Sequence, residues 1–124
     1  MVFVDTSVII DFLAGDKHVV SLLGNLPETE EVKTTAITEY ELLKHKDKLK
    51  KHLAEDFLSE VTVVSFDSEA ARKSALLYGK LKEAGKLINE NDLLIAGIAL
   101  ANDDVLLTRD QKFGNINNPN IKVV

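Results

Sequence analysis

The chain contains no cysteine. That excludes a disulfide framework and thiol chemistry, and it agrees with a reducing compartment. Proline is scarce: Pro27 and Pro119 both stand in loop-like stretches, and no repeat, low-complexity segment or linker divides the chain. No apolar run is long enough to span a bilayer. The longest, Leu93 to Ala101, falls far short. Val2 to Val4 meets Asp5 at once with no charged stretch before it, so no export signal is expected. A soluble cytoplasmic protein with no membrane partner follows as the expectation. Positive charge is also in short supply, with 15 Lys and Arg against 20 Asp and Glu, a formal net charge of -5. A general polyanion binder would show a basic footprint instead. Neither G-x-G-x-x-G nor a P-loop is present, so nucleotide binding by those routes has no support.

What is present suits one globular domain over residues 1–124, with 45% apolar residues to build its core. Strand-like and helix-like segments alternate. Val2–Val4 reads as a buried strand, Thr6 to Ala14 as a helix stopped by Gly15, and Lys17 to Leu26 as a second helix ending at Pro27. Glu31 to Ile37 has the β-branched content of a strand. Thr38-Glu39-Tyr40-Glu41 has the form of a capping box opening a long helix, or a helix pair, to about Ser59. Val61 to Phe66 reads as an apolar strand. Asp67 is placed to cap the next helix, with Ala70, Leu77, Leu81 and Ala84 on one face and Gly85 at its end. Asp92 to Ala101 is apolar nearly all round and is expected to be deeply buried. Val105 to Thr108 forms another strand, and Ile121 to Val124 a last one. Apolar strands separated by helices predict the α/β class: a three-layer α/β/α build around a parallel sheet of four or five strands.

Four acids acquire meaning on that frame. Asp5 directly follows the first strand, Glu39 follows the second in the first turn of its helix, and Asp110 lies two residues past Thr108. Asp92 begins the helix leading into the Val105–Thr108 strand. A crossover helix runs antiparallel to its strands, so that helix starts at the edge where strands end. All four acids therefore belong to the carboxyl edge, where open α/β sheets keep their ligand crevices. Each also has a structural use: Asp5 as a helix cap, Glu39 and Asp92 as complements to helix dipoles, Asp110 as a turn residue. Their joint placement favours a site. Two carboxylates 4 Å apart repel by roughly 4 kcal/mol at an effective dielectric near 20, and Arg109 alone cannot neutralise four. Hard divalent cations would, and an all-oxygen set with no His or Cys nearby suits Mg²⁺ or Mn²⁺ rather than zinc. Such ions activate water and stabilise charge on phosphoryl groups, which points to a phosphodiester substrate.

The stretches Val2-Phe3-Val4-Asp5-Thr6-Ser7, Thr38-Glu39, Asn91-Asp92-Leu93-Leu94-Ile95-Ala96 and Leu107-Thr108-Arg109-Asp110-Gln111-Lys112-Phe113 resemble the PIN-domain nucleases, in particular the VapC-type toxins of prokaryotic toxin–antitoxin pairs. The resemblance covers Val2 to about Phe113. It implies a Mg²⁺-dependent endoribonuclease acting on RNA, a homodimer, and a small antitoxin partner that occludes the site and often binds DNA. By position, Asp5, Glu39, Asp92 and Asp110 match the family's acidic quartet, with Asp5 and Asp92 as principal metal ligands. Thr108 matches a supporting hydroxyl residue, and Thr6 or Ser7 the hydroxyl beside the first Asp. Some PIN domains carry a further acid near the last motif, where this chain has Gln111 and Lys112.

Lys44 to His52 is the one basic block, and Lys48, Lys50 and Lys51 within it are candidates for RNA phosphate contacts or simply a solvated helix face. His18, His45 and His52 do not form a metal cluster by spacing. Tyr40, Leu42 and Leu43 suit core packing or a partner surface. Gly97 in an apolar helix costs about 1 kcal/mol relative to Ala, a loss that close helix packing would offset. A phosphotransfer domain using Asp5 as nucleophile needs a second Asp two residues on, where Ser7 stands. The remaining alternatives are a housekeeping RNA-processing nuclease of the same fold and a non-catalytic binding module.

Overall fold

Five short strands form one parallel sheet in the order β3-β2-β1-β4-β5 in the computed structural model, which describes all of residues 1–124. In chain order the elements are β1 (Val2–Val4), α1 (Thr6–Leu13), α2 (Lys17–Gly24), β2 (Val32–Thr35), α3 (Ala36–Leu43), α4 (Lys48–Ser59), β3 (Thr62–Val64), α5 (Ser68–Glu83), α6 (Glu90–Ala101), β4 (Val105–Thr108), a 3₁₀ turn (Gln111–Asn115) and β5 (Ile121–Val123).

Side chains alternate across a strand, so central β1 feeds both faces of the sheet. Val2 and Val4 pack with Val8, Ile9, Val19, Leu42, Ala54 and Leu58 of α1 to α4. Phe3 packs on the other side with Ala70, Leu81, Leu93, Ile95 and Ile98 of α5 and α6. These are the three layers expected from the alternation of apolar strands and helices. From β1 the chain winds outward through β2 to β3, then returns to lay β4 on the opposite side of β1. The strand order therefore reverses between β1 and β4, and an open α/β sheet leaves a crevice at the carboxyl ends of such a pair.

The sequence patterns account for most element boundaries. Asp67 caps α5 by accepting the Ala70 N–H at 2.9 Å. Gly85, at φ +69°, supplies the left-handed residue that stops it. The helical stretch from Ala36 to Ser59 is a pair, with Asp47 restarting it as α4 by accepting the Lys50 N–H at 3.0 Å. Two expectations need correction. β2 stops at Thr35, not Ile37, because the Thr35 hydroxyl accepts the Thr38 N–H at 3.1 Å and opens α3 at Ala36. The box from Thr38 to Glu41 thus lies inside the helix and caps nothing. The second concerns the stretch Val61 to Phe66, of which only Thr62–Val64 pairs, as an edge strand whose Thr62 is exposed.

Helix α6 is buried along most of its length, as its composition predicts. Gly97 sits where it passes α5 most tightly: a Cβ there would meet the Ser74 hydroxyl at 1.9 Å and the Ala70 carbonyl oxygen at 3.0 Å. Close intrachain packing is what this glycine permits. No helix is long and apolar enough to cross a membrane.

Candidate active site

The crevice between β1 and β4 is built around Asp5, which is 2% exposed. Its N–H donates to the Leu107 carbonyl at 3.2 Å, which ties the ends of the two strands together. Its carboxylate accepts three hydrogen bonds. The Ser7 hydroxyl donates to Oδ1 at 2.6 Å, the Val8 N–H to the same oxygen at 3.0 Å, and the Thr108 hydroxyl to Oδ2 at 2.5 Å. The Val8 bond is the helix cap of α1, so the structural and functional uses of Asp5 coexist.

The two hydroxyls also accept. The Arg109 N–H donates to Ser7 Oγ at 2.9 Å and the Asp110 N–H to Thr108 Oγ1 at 3.0 Å. A hydroxyl has one proton to give. With backbone N–H groups filling their acceptor sides, Ser7 and Thr108 direct theirs to Asp5, and the same bonds fix the backbone that carries Asp110. Burial pushes the Asp5 carboxyl above the usual carboxylate range and Asp110 adds to the rise, while Ser7, Thr108 and Val8 act against it.

Asp92 enters from the first turn of α6, half-buried. Its carboxyl is pushed up to about 6, first by burial and then by the negative charges of Asp110, Glu41 and Asp5, with Lys112 opposing. Three of the four acids singled out from the sequence, Asp5, Asp92 and Asp110, therefore act on one another across the crevice.

Glu39 does not join them. It lies half-buried in the first turn of α3 with no side-chain hydrogen bond or ion pair. The third acid acting on Asp92, beside Asp110 and Asp5, is Glu41, which accepts the Thr6 hydroxyl at 2.6 Å and the Asn91 amide at 3.5 Å. Two residues along a helix rotate a side chain by about 200°, so these glutamates face different ways. Thr6 thus supports Glu41 rather than Asp5. Reading Glu41 as the closing member of a capping box gave it a structural task. The pattern Thr35-x-x-Thr38, which sets the true start of α3, was the signal that would have freed it.

The remaining candidates lie elsewhere. Arg109 turns to α1, pairing with Asp11 at 3.0 Å and Asp16 at 3.7 Å and donating to the Val124 carbonyl at 3.1 Å. Lys48, Lys50 and Lys51 are exposed on α4 without a bond to any crevice side chain. His52 pairs with Asp56, and His18 is exposed on α2. His45 and Lys50 edge an apolar groove of about 420 Å³, walled by Ile10, Leu13, Leu49 and Leu53 of α1 and α4.

No three acidic or imidazole side chains approach closely enough to hold an ion by themselves. The donor set nevertheless fits a hard divalent cation. It is all oxygen, no Lys or Arg pairs with it, and its mutual repulsion adds to the burial that raises Asp92. Mg²⁺ in particular keeps several waters and takes one or two carboxylates plus phosphate oxygens, so a loose acidic set suits it better than a closed cage.

Residues 2–119 match the PIN domain. The chain belongs to the PIN-domain family. No curated protein sequence matches it significantly. Among solved structures, this PIN domain is similar to VapBC2 from Rickettsia felis bound to a promoter DNA fragment, at 27% identity and a TM-score of 0.82 over 98% of this chain and 96% of that one. It is similar to VapBC-1 from nontypeable Haemophilus influenzae, at 26% and 0.79 over 94% and 92%. It is also similar to VapBC-5, of the VapBC family of toxin–antitoxin systems, from Mycobacterium tuberculosis, at 26% and 0.71 over 98% and 95%. The PIN fold of this chain is thus of the VapC kind.

Proposed function

We propose that this PIN domain is a Mg²⁺-dependent endoribonuclease, the toxin of a VapBC-type pair, with Asp5, Asp92, Asp110 and Glu41 as its acidic centre. One observation carries the reading: burial, and then the charges of Asp110, Glu41 and Asp5, drive the Asp92 carboxyl up to about 6 at the sheet's switch point, with no Lys or Arg paired to any of the four.

Asp5 and Asp92 would hold the ion, with Glu41 and Asp110 beside it; Mn²⁺ would serve in the same place. The chemistry such a cation supplies when bound is a lowered pKa for water and neutralisation of charge developing on a phosphoryl group. The chain's own part is positioning. Ser7 and Thr108 keep Asp5 an oriented acceptor, and Thr108 ties Asp110 to it through the backbone. Thr6 and Asn91 aim Glu41. Asp110 also accepts the Lys112 N–H at 2.9 Å, which sets the rim of the crevice.

The similar structures are VapBC assemblies, and the antitoxin reading extends from them. The groove between α1 and α4 offers an apolar surface to a small antitoxin protein, and the toxin acts as a cytoplasmic homodimer. Purified protein should cut single-stranded RNA with Mg²⁺ and stop in EDTA. Expression should arrest growth, and co-expression of a small protein encoded beside it should relieve the arrest. Cleavage that persists in EDTA would refute the metal role. Cleavage without growth arrest would favour an RNA-processing role over the toxin one.

A further inference from the structure

Lys112 differs from Arg109, the other cation on the segment that carries Asp110, in having nothing to pair with. Arg109 is taken by Asp11, Asp16 and the Val124 carbonyl. The Lys112 ammonium is exposed and enters no ion pair, hydrogen bond or ring contact.

Its backbone, by contrast, is fixed. The Lys112 N–H donates to Asp110 Oδ1 at 2.9 Å, and the Phe113 N–H to the Asp110 carbonyl at 3.2 Å. The Phe113 ring is fully buried in the core that α5 and α6 cover. A long flexible side chain thus rises from a rigid turn directly beside an acidic residue of the crevice.

We propose that Lys112 is a substrate-binding residue whose ammonium takes a backbone phosphate of the RNA strand at the crevice. The proposal rests on the ribonuclease reading above. A lysine serving only to neutralise the acids would close onto one of them within ion-pair distance, and Lys112 does not. A polyanion approaching these carboxylates is helped by positive charge from the protein beside them, and an ammonium binds phosphate as a point charge. Contacts of this kind supply affinity without sequence preference.

The test is the steady-state cleavage of a single-stranded RNA in Mg²⁺ by wild type, Lys112→Met and Lys112→Arg over a range of salt concentrations, with thermal midpoints recorded alongside. Lys112→Met should raise KM about five-fold with kcat within about two-fold, and should flatten the log–log salt slope by about 0.7, the value of one phosphate contact on a single strand. Lys112→Arg should retain the wild-type KM, and neither midpoint should move. Wild-type cleavage together with an unchanged KM and salt slope in Lys112→Met would overturn this proposal alone. A loss in kcat or a lowered midpoint would assign Lys112 a structural role instead and also overturn it. Absence of Mg²⁺-dependent cleavage by wild type would overturn the ribonuclease reading and this proposal with it.

Discussion

The face of the sheet under α5 and α6 and the crevice at its carboxyl edge treat burial in opposite ways. Under α5 and α6, Phe3, Ile95, Ile98, Leu106 and Phe113 fill a continuous apolar cluster, and helix contact is tight enough to require glycine at position 97. At the carboxyl edge, β1 ends by burying Asp5, and α6 begins by bringing Asp92 toward three other acids. The same two elements, β1 and α6, therefore contribute to both regions, apolar along their length and acidic where they meet the crevice. The packed face stabilises the fold, and part of that stability offsets the burial and repulsion of these acids.

The sharpest break in that comparison lies within the crevice, between its two candidate glutamates. Glu41→Gln should lower Mg²⁺-dependent RNA cleavage about a hundred-fold or more, the loss seen when one preorganised charge-stabilising group is removed. Glu39→Gln should stay within a few-fold of wild type. Equal losses in matched cleavage assays would mean that the 200° separating them on α3 does not matter.

On the packed face, Gly97→Ala should destabilise by up to about 2 kcal/mol: overpacking costs about 1 to 3 kcal/mol, less the roughly 1 kcal/mol of helix propensity gained. Urea unfolding checks this. A stabilised variant would show that Ser74 turns aside freely and that the helices are not tightly opposed.

Asp92→Asn should act in the opposite direction. The folded carboxyl sits at about 6 against an ordinary value of 3.8, so the folded state holds its proton more tightly than the unfolded chain. Its favourable contribution is complete below about pH 4 and is lost as pH rises through 6. In EDTA at pH 7 the variant should be more stable by about 1 kcal/mol, allowing for screening at a half-exposed group. The gap should close on acidification to about pH 4. Mg²⁺ should narrow it at pH 7 by stabilising wild type more than the variant.

Much of this was legible in the sequence. Apolar strands alternating with helices predicted the three layers and the parallel sheet, and Asp67 and Gly85 marked the ends of α5. Asp5 and Asp110 could be placed because each follows a strand closely, and Asp92 because the direction of a crossover helix is fixed. Glu41 is hidden because the β-branched pattern runs two residues past the end of β2. A β-branched run such as Val32-Lys33-Thr34-Thr35-Ala36-Ile37 does not reveal where strand gives way to helix, and a two-residue error on a helix turns a side chain to the opposite face. The hydroxyl relay from Ser7 and Thr108 was visible only as a resemblance, since pairing residues 101 positions apart depends on β1 and β4 being neighbours. Lys112 stands out in the sequence only as a departure from the family pattern, and its freedom from any partner needs the structure.

The central claim is that the crevice around Asp5 cuts RNA with the help of a divalent cation. The most direct test is Mg²⁺-dependent cleavage of single-stranded RNA by wild type and by Asp5→Asn, with folding checked by circular dichroism. The account predicts cleavage by wild type, and near-complete loss in a variant that still folds. Cleavage by folded Asp5→Asn at the wild-type rate would contradict it.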